Sequence, residues 1–155
     1  MKKKKRLICT LLVLVTVLSS SVLINAASWK VVKKGDRGTD VKTIQYLLKS
    51  KGYRITVDGD YGKRTEGNIK GFQTARGLKR DGIVGEKTWL KLIVTLQRGE
   101  ESNAVRALQC QLGIKEDGDF DEITEDAVIR FQKRYPKLKN DGIVGPETWR
   151  YLINN

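Results

Sequence analysis

The chain has 155 residues, 31% of them charged, with 30 Lys and Arg against 18 Asp and Glu, two Cys and no His. Without His the usual general base and the commonest zinc ligand are missing, and two Cys cannot build a thiolate zinc cage. The formal charge of +12 favours anionic surfaces and permits non-specific contact with nucleic acid; a solvated basic face is the plainer reading of the same charge.

Residues 1–26 read as a secretory signal peptide. Lys2, Lys3, Lys4, Lys5 and Arg6 form a basic start, and Leu7 to Leu18 is an apolar run too short for a comfortable membrane span. Small residues follow, and Ile24-Asn25-Ala26 before Ala27 offers a cleavage point after Ala26 or Ala27. An uncleaved anchor, formed by extending the run through Val22, Leu23 and Ile24, is the alternative. Cys9 lies near the start of the run, which argues against a lipid-modified cleavage site. Removal of the segment leaves Cys110 as the one thiol, so no disulfide can form within the mature chain, and a small, partly buried apolar role is expected for it. The remaining charge is uneven. Residues 29–95 hold 16 Lys and Arg against 7 Asp and Glu, whereas residues 96–155 hold 9 against 11.

The rest of the chain is one pattern written twice, with a period of about 60 residues. The run from Asp81 through Gly82, Ile83, Val84 and Gly85 to Thr88 and Trp89 recurs as Asp141, Gly142, Ile143, Val144, Gly145, Thr148 and Trp149. Val41, Ile44, Gln45 and Leu48 answer to Val105, Leu108, Gln109 and Leu112. Between these blocks Asp58-Gly59-Asp60-Tyr61, Thr65 and Phe72-Gln73 answer to Asp117-Gly118-Asp119-Phe120, Thr124 and Phe131-Gln132. The expected division is a module over 29–95 and a second over 96–155. The link near Leu96-Gln97-Arg98-Gly99 has no Pro-rich or Ser-rich spacer, so a compact pair is expected.

Three helices are expected in each copy. The first carries Val41, Ile44, Leu47 and Leu48 at helical spacing, with Thr39 or Asp40 as its cap and Gly52 at its end. The second begins near Thr65 or Thr124, whose hydroxyl is placed to accept an early backbone N–H, and turns Ile69 and Phe72, or Val128 and Phe131, inward. Gly77 and Pro136 mark its end. The third starts at Gly85 or Gly145, with Pro146 suited to the first helical position, and buries Trp89, Leu92 and Ile93, or Trp149, Leu152 and Ile153. The fold class is therefore all-α.

The four Asp-Gly pairs are turn signals in their own right, because Asp bonds nearby backbone and Gly accepts positive φ. Asp117, Asp119 and Asp121 share the alternate spacing of a calcium loop, but Glu122 and Val128 stand where that loop requires Gly and Glu. No metal and no cofactor is expected. The remaining acids are mostly turn and surface residues, and no catalytic constellation emerges. Tyr61 and Phe120 follow an Asp-Gly turn, where an exposed ring could stack on a ligand or an inward ring could cover the core.

The paired Val-x-x-x-Gln, Asp-Gly-Asp-aromatic, Phe-Gln and Asp-Gly-Ile-Val-Gly-x-x-Thr-Trp blocks resemble the peptidoglycan-binding module attached to bacterial wall hydrolases and spore-cortex lytic enzymes. The resemblance covers nearly all of the chain after residue 26. It implies three-helix modules that attach non-covalently to peptidoglycan through stem peptides and adjoining sugar. Two copies fill the chain, so the expectation is a secreted, cell-wall-associated binding protein and not an enzyme. The alternative is an accessory or regulatory partner of a separate hydrolase, recruited by the acidic second copy. Anionic wall polymers are further candidate partners; specific nucleic-acid binding is not expected. The ligand-facing residues expected are Asp58, Tyr61, Thr65, Asp81, Gly82 and Gly85 in the first copy, and Asp117, Phe120, Thr124, Asp141, Gly142 and Gly145 in the second. Asp121 and Glu122 replace Gly62 and Lys63, which sets the two copies apart.

Overall fold

A computed structural model describes residues 28–155, and the expected signal peptide and Cys9 lie outside these residues. The order of elements is α1 (Thr39–Ser50), α2 (Lys63–Ala75) and α3 (Glu86–Leu92), then α4 (Asn103–Leu112), α5 (Glu122–Gln132) and α6 (Pro146–Ile153). Among the described residues extended backbone pairs only as isolated antiparallel bridges: Val32 with Val84, Arg37 with Asp60, Leu96 with Val144 and Glu101 with Asp119. Each bridge ties the segment entering a module to one of that module's Asp-Gly turns. The fold is all-helical, three helices twice.

The inward stripes are the ones helical spacing selects. Ile44, Leu47, Leu48, Ile69, Phe72, Trp89 and Leu92 are fully buried in the first half, and Val105, Leu108, Val128 and Trp149 in the second. Both tryptophans also satisfy their indole N–H, Trp89 on the Lys30 carbonyl at 2.8 Å and Trp149 on the Val94 carbonyl at 2.7 Å. A buried indole needs such a partner, and here it fastens the strand-like lead-in of each module to its last helix.

The helix starts depart from expectation. Gly38, not Thr39 or Asp40, is the cap of α1, and it supplies no side-chain bond. Thr65 and Thr124 lie inside α2 and α5, because Gly62 and Asp121 take the cap positions. Asp121 accepts the Thr124 N–H at 2.9 Å, and Ser102 accepts that of Val105 at 3.2 Å in α4. The second copy thus has side-chain caps on its first two helices where the first copy has Gly. Pro146 opens α6 as expected.

The two copies meet through α1 and α4. Gln111, near the end of α4, donates to Asp40 at 2.9 Å and to Thr43 at 3.1 Å near the start of α1. The Tyr46 hydroxyl donates to Glu116 at 2.6 Å, and Lys42 pairs with the same carboxylate at 3.6 Å. Burial outweighs every other influence on Glu116 singly and would raise it, yet the bonds from Tyr46 and Lys42 together hold it below the usual carboxylate range. At the other edge Asn154 donates to the Ser28 carbonyl and accepts from the Lys30 N–H, joining the last residues of the second copy to the first residues of the first copy. Cys110 sits half-buried at this junction, where burial and the neighbouring Glu116 push its thiol up to about 12.

Candidate functional site

Four Asp-Gly turns are built on one plan. In each, a buried Gln from the preceding helix reaches under the turn: Gln45, Gln73, Gln109 and Gln132 are all at most 1% exposed. The side-chain oxygen of Gln73 accepts the Gly82 N–H at 2.9 Å. Its amide donates to the Asp81 carboxylate at 2.9 Å, the Ile83 carbonyl at 3.0 Å and the Thr88 hydroxyl at 3.3 Å. Gln45 does the same with Asp58, the Asp60 carbonyl and Thr65, Gln109 with Asp117, the Asp119 carbonyl and Thr124, and Gln132 with Asp141, the Ile143 carbonyl and Thr148. Each Asp also accepts the N–H two residues on, as Asp81 does from Ile83 at 2.9 Å. The Ile83 N–H foremost, then the Gln73 amide, holds the Asp81 carboxyl below the usual carboxylate range. Asp58 and Asp117 are lowered by corresponding bonds. One glutamine therefore replaces water for several polar groups at once, which buried turns require.

This plan decides where the expected ligand-facing residues stand. Asp58, Asp81, Asp117 and Asp141 sit at the turn corners, engaged with Gln. Thr65 and Thr124 are buried in the same clusters at 2% and 1% exposure. Tyr61 and Phe120 are wholly buried, so neither ring is available for stacking on a ligand; the inward alternative holds. The Tyr61 hydroxyl donates to the Gly82 carbonyl at 2.9 Å, and burial drives its ionisation upward. Gly82 and Gly142 are buried with φ of 72° and 73°. A Cβ at Gly82 would lie 3.0 Å from both Glu66 and Lys70 side-chain carbons.

Of the twelve expected residues, Asp81 and Gly85 line one groove of about 380 Å³, and Asp141 and Gly145 line its repeat-equivalent of about 290 Å³. Asp58 and Asp117 border other depressions, beside the starts of α1 and α4. The Asp-Gly-Asp-aromatic turns and the Asp-Gly-Ile-Val-Gly loops thus border different depressions. The paired grooves add residues that were not expected: Lys79 and Lys87 in the first, Lys137, Lys139 and Glu147 in the second, and Ile83 and Ile143 at matching positions. Ile83 and Ile143 are 40% and 39% exposed, although large and apolar. The cause is local. Val84 and Val144 turn inward to make their bridges, and in extended backbone the preceding side chain then points outward. The Ile-Val pair itself was the available signal, since adjacent residues of an extended segment cannot both face the core.

The floor of each groove is the start of a helix whose Gly cap supplies no side-chain bond. The first N–H groups of a helix have no partner within it and carry partial positive charge, so they can receive a carboxylate. Pro146 removes one such donor from the second groove. The extra acids of the second copy lie elsewhere: Asp121 caps α5, and Glu122 pairs with Arg98 at 3.6 Å.

Comparison with known proteins places these features in a family. The chain is 36% identical over 74 residues to the carboxy-terminal processing protease CtpA of Bacillus subtilis, covering 48% of this chain and 16% of that protein. It is 29% identical over 165 residues to a probable N-acetylmuramoyl-L-alanine amidase of Bacillus licheniformis, covering 84% of this chain and 46% of that protein. The chain thus spans less than half the length of either relative. A peptidoglycan-binding protein of Clostridioides difficile with a solved structure is 41% identical, over 41% of this chain and 40% of that one, with a TM-score of 0.40. The sequence model of the family described as "Putative peptidoglycan binding domain" matches residues 37–92 and 101–152, one match for each set of three helices. With more than half its length matched in two tandem segments, the chain belongs to the peptidoglycan-binding domain family.

Proposed function

We propose that the chain is a secreted, cell-wall-associated protein that holds peptidoglycan without cutting it, gripping stem peptide and adjoining glycan in the grooves at the starts of α3 and α6. The observation that carries this is the duplication of the groove: each copy lines it with an outward isoleucine, lysines and a turn aspartate, at a helix start without a side-chain cap. The helix start and lysines suit carboxylates, the aspartate suits an amine, and the isoleucine suits a methyl-bearing peptide. Two linked contacts raise the effective concentration of the second to about millimolar, enough for avidity roughly 100-fold above one contact.

The test is co-sedimentation with purified insoluble peptidoglycan, stripped of teichoic acids, over a range of salt. Retention at high salt is expected; loss of binding as salt rises would leave only the charge of the first copy, and with it anionic wall polymers or nucleic acid as adventitious partners. Ile83→Asp and Ile143→Asp together should lower retention about 10-fold or more, on the scale of a lost apolar contact and a new repulsive charge. Tyr61 is unsuitable for such a test, because its buried ring makes any substitution a stability change.

A further inference from the structure

Between the two grooves lies a third cavity of about 380 Å³, walled by Trp29, Leu90 and Arg150. It shares Glu86 with the first groove and Pro146 and Glu147 with the second. The three depressions are therefore neighbours, following one another from the start of α3 past the junction of the copies to the start of α6. Five large apolar side chains are exposed among the described residues, and three of them, Ile83, Leu90 and Ile143, line this path, one in each cavity. Charges of both signs accompany them: Lys79, Asp81 and Glu86 toward one end, Glu147, Lys139 and Asp141 toward the other. The path is held in one piece by Asn154, which binds Ser28 and Lys30 across the junction, and by the stacking of Trp29 on Trp89 at 6.2 Å.

We infer that the two grooves and the cleft between them form one composite site, occupied by a single peptidoglycan strand lying across both copies and not by two separate strands. The inference rests on the proposed peptidoglycan binding. It specifies the ligand as linear and longer than one repeat unit, bearing amine, carboxylate and methyl groups at intervals. A uniform polyanion does not match the alternation of charge along the path. In this arrangement the protein reads the continuity of a strand, and the hydrogen-bonded α1–α4 junction sets the spacing that the strand's peptides must meet.

The experiment is calorimetric titration of the full chain with soluble, uncrosslinked peptidoglycan fragments of one, two and four disaccharide-peptide units, with insoluble peptidoglycan in parallel. The expected result is one four-unit fragment per chain, bound at least about 10-fold more tightly than the single unit. Leu90→Arg, at a side chain 47% exposed, should bring the ratio of long- to short-fragment affinity to within about twofold. Glu147→Lys, at another exposed position, provides a second variant should the first alter the fold. Two four-unit fragments per chain, or a length dependence untouched by both variants, would overturn the composite site while leaving peptidoglycan binding in place. Failure to bind any fragment or the insoluble polymer would overturn both.

Discussion

Replacing Gln73 with Leu tests the logic of the turns most directly. The side chain is 1% exposed; its oxygen accepts from Gly82, and its two amide hydrogens are shared among three acceptors, Asp81, Ile83 and Thr88. Leucine matches its bulk but serves none of them. A net bond to a neutral partner contributes about 1 kcal/mol and one to a carboxylate about 2, and the Gly82 N–H left buried costs a further 1–3 or so. Burying leucine in place of an amide returns part of this, so the expected loss is about 3–4 kcal/mol, a large share of a typical domain's stability of about 5–15 kcal/mol. The assay is urea unfolding followed by the fluorescence of the tryptophans, with the slope checked for constancy. Thr88→Val, which deletes one weak partner, should cost about 1 kcal/mol. Gln132→Leu should cost less than Gln73→Leu, since the Gln132 bond to Asp141 is 3.4 Å long against 2.9 Å for its counterpart. A Gln73→Leu loss below about 1 kcal/mol, or one equalled by Thr88→Val, would refute the claim that the glutamine organises the turn.

Three further outcomes are expected. Asp58, Asp81 and Asp117 are held below their unfolded values near about 3.9, so their stabilisation is complete above pH about 4 and is lost as pH falls through the lower folded values; urea midpoints taken from pH 7 to pH 2 should be level at first and then drop, and Asp81→Asn should shrink the drop. Gly82→Ala forces a Cβ into the left-handed region and against Glu66 and Lys70, so a loss of at least about 1–2 kcal/mol is expected by thermal or urea unfolding, whereas Gly85→Ala, with open space around it, should cost less. The Cys110 thiol, pushed up to about 12 by burial first and then Glu116, should react with iodoacetamide far more slowly in the native protein than in urea at pH 8.

Much of this molecule was legible in one dimension. Helical spacing of Val41, Ile44 and Leu48, or of Trp149, Leu152 and Ile153, determines which faces turn inward, because only packing can compensate the entropy of ordering such short helices. The repeat was equally plain, and the Asp-to-Thr interval of seven residues recurs at Asp58, Asp81, Asp117 and Asp141. That interval, with a glutamine before each turn, was the readable trace of the four clusters. It also explains why Thr65 and Thr124 do not cap their helices: each hydroxyl receives a glutamine amide and donates to a carbonyl of the preceding turn, that of Asp60 or Asp119.

Composition and periodicity alone thus determined a duplicated all-helical protein with Asp-Gly corners, since each of these is a property of neighbours in sequence. Tertiary structure decided the rest. Whether Tyr61 faced a ligand or the core depended on Gly82, 21 residues away, whose carbonyl takes its hydroxyl. Whether the two loops bearing Ile83 and Ile143 formed separate sites or one path depended on how α1 packs on α4, and on Asn154 reaching back to Ser28. Contacts between residues more than a hundred positions apart leave no local pattern, because they are satisfied by shape and partner position, not by the conformation of the chain on either side.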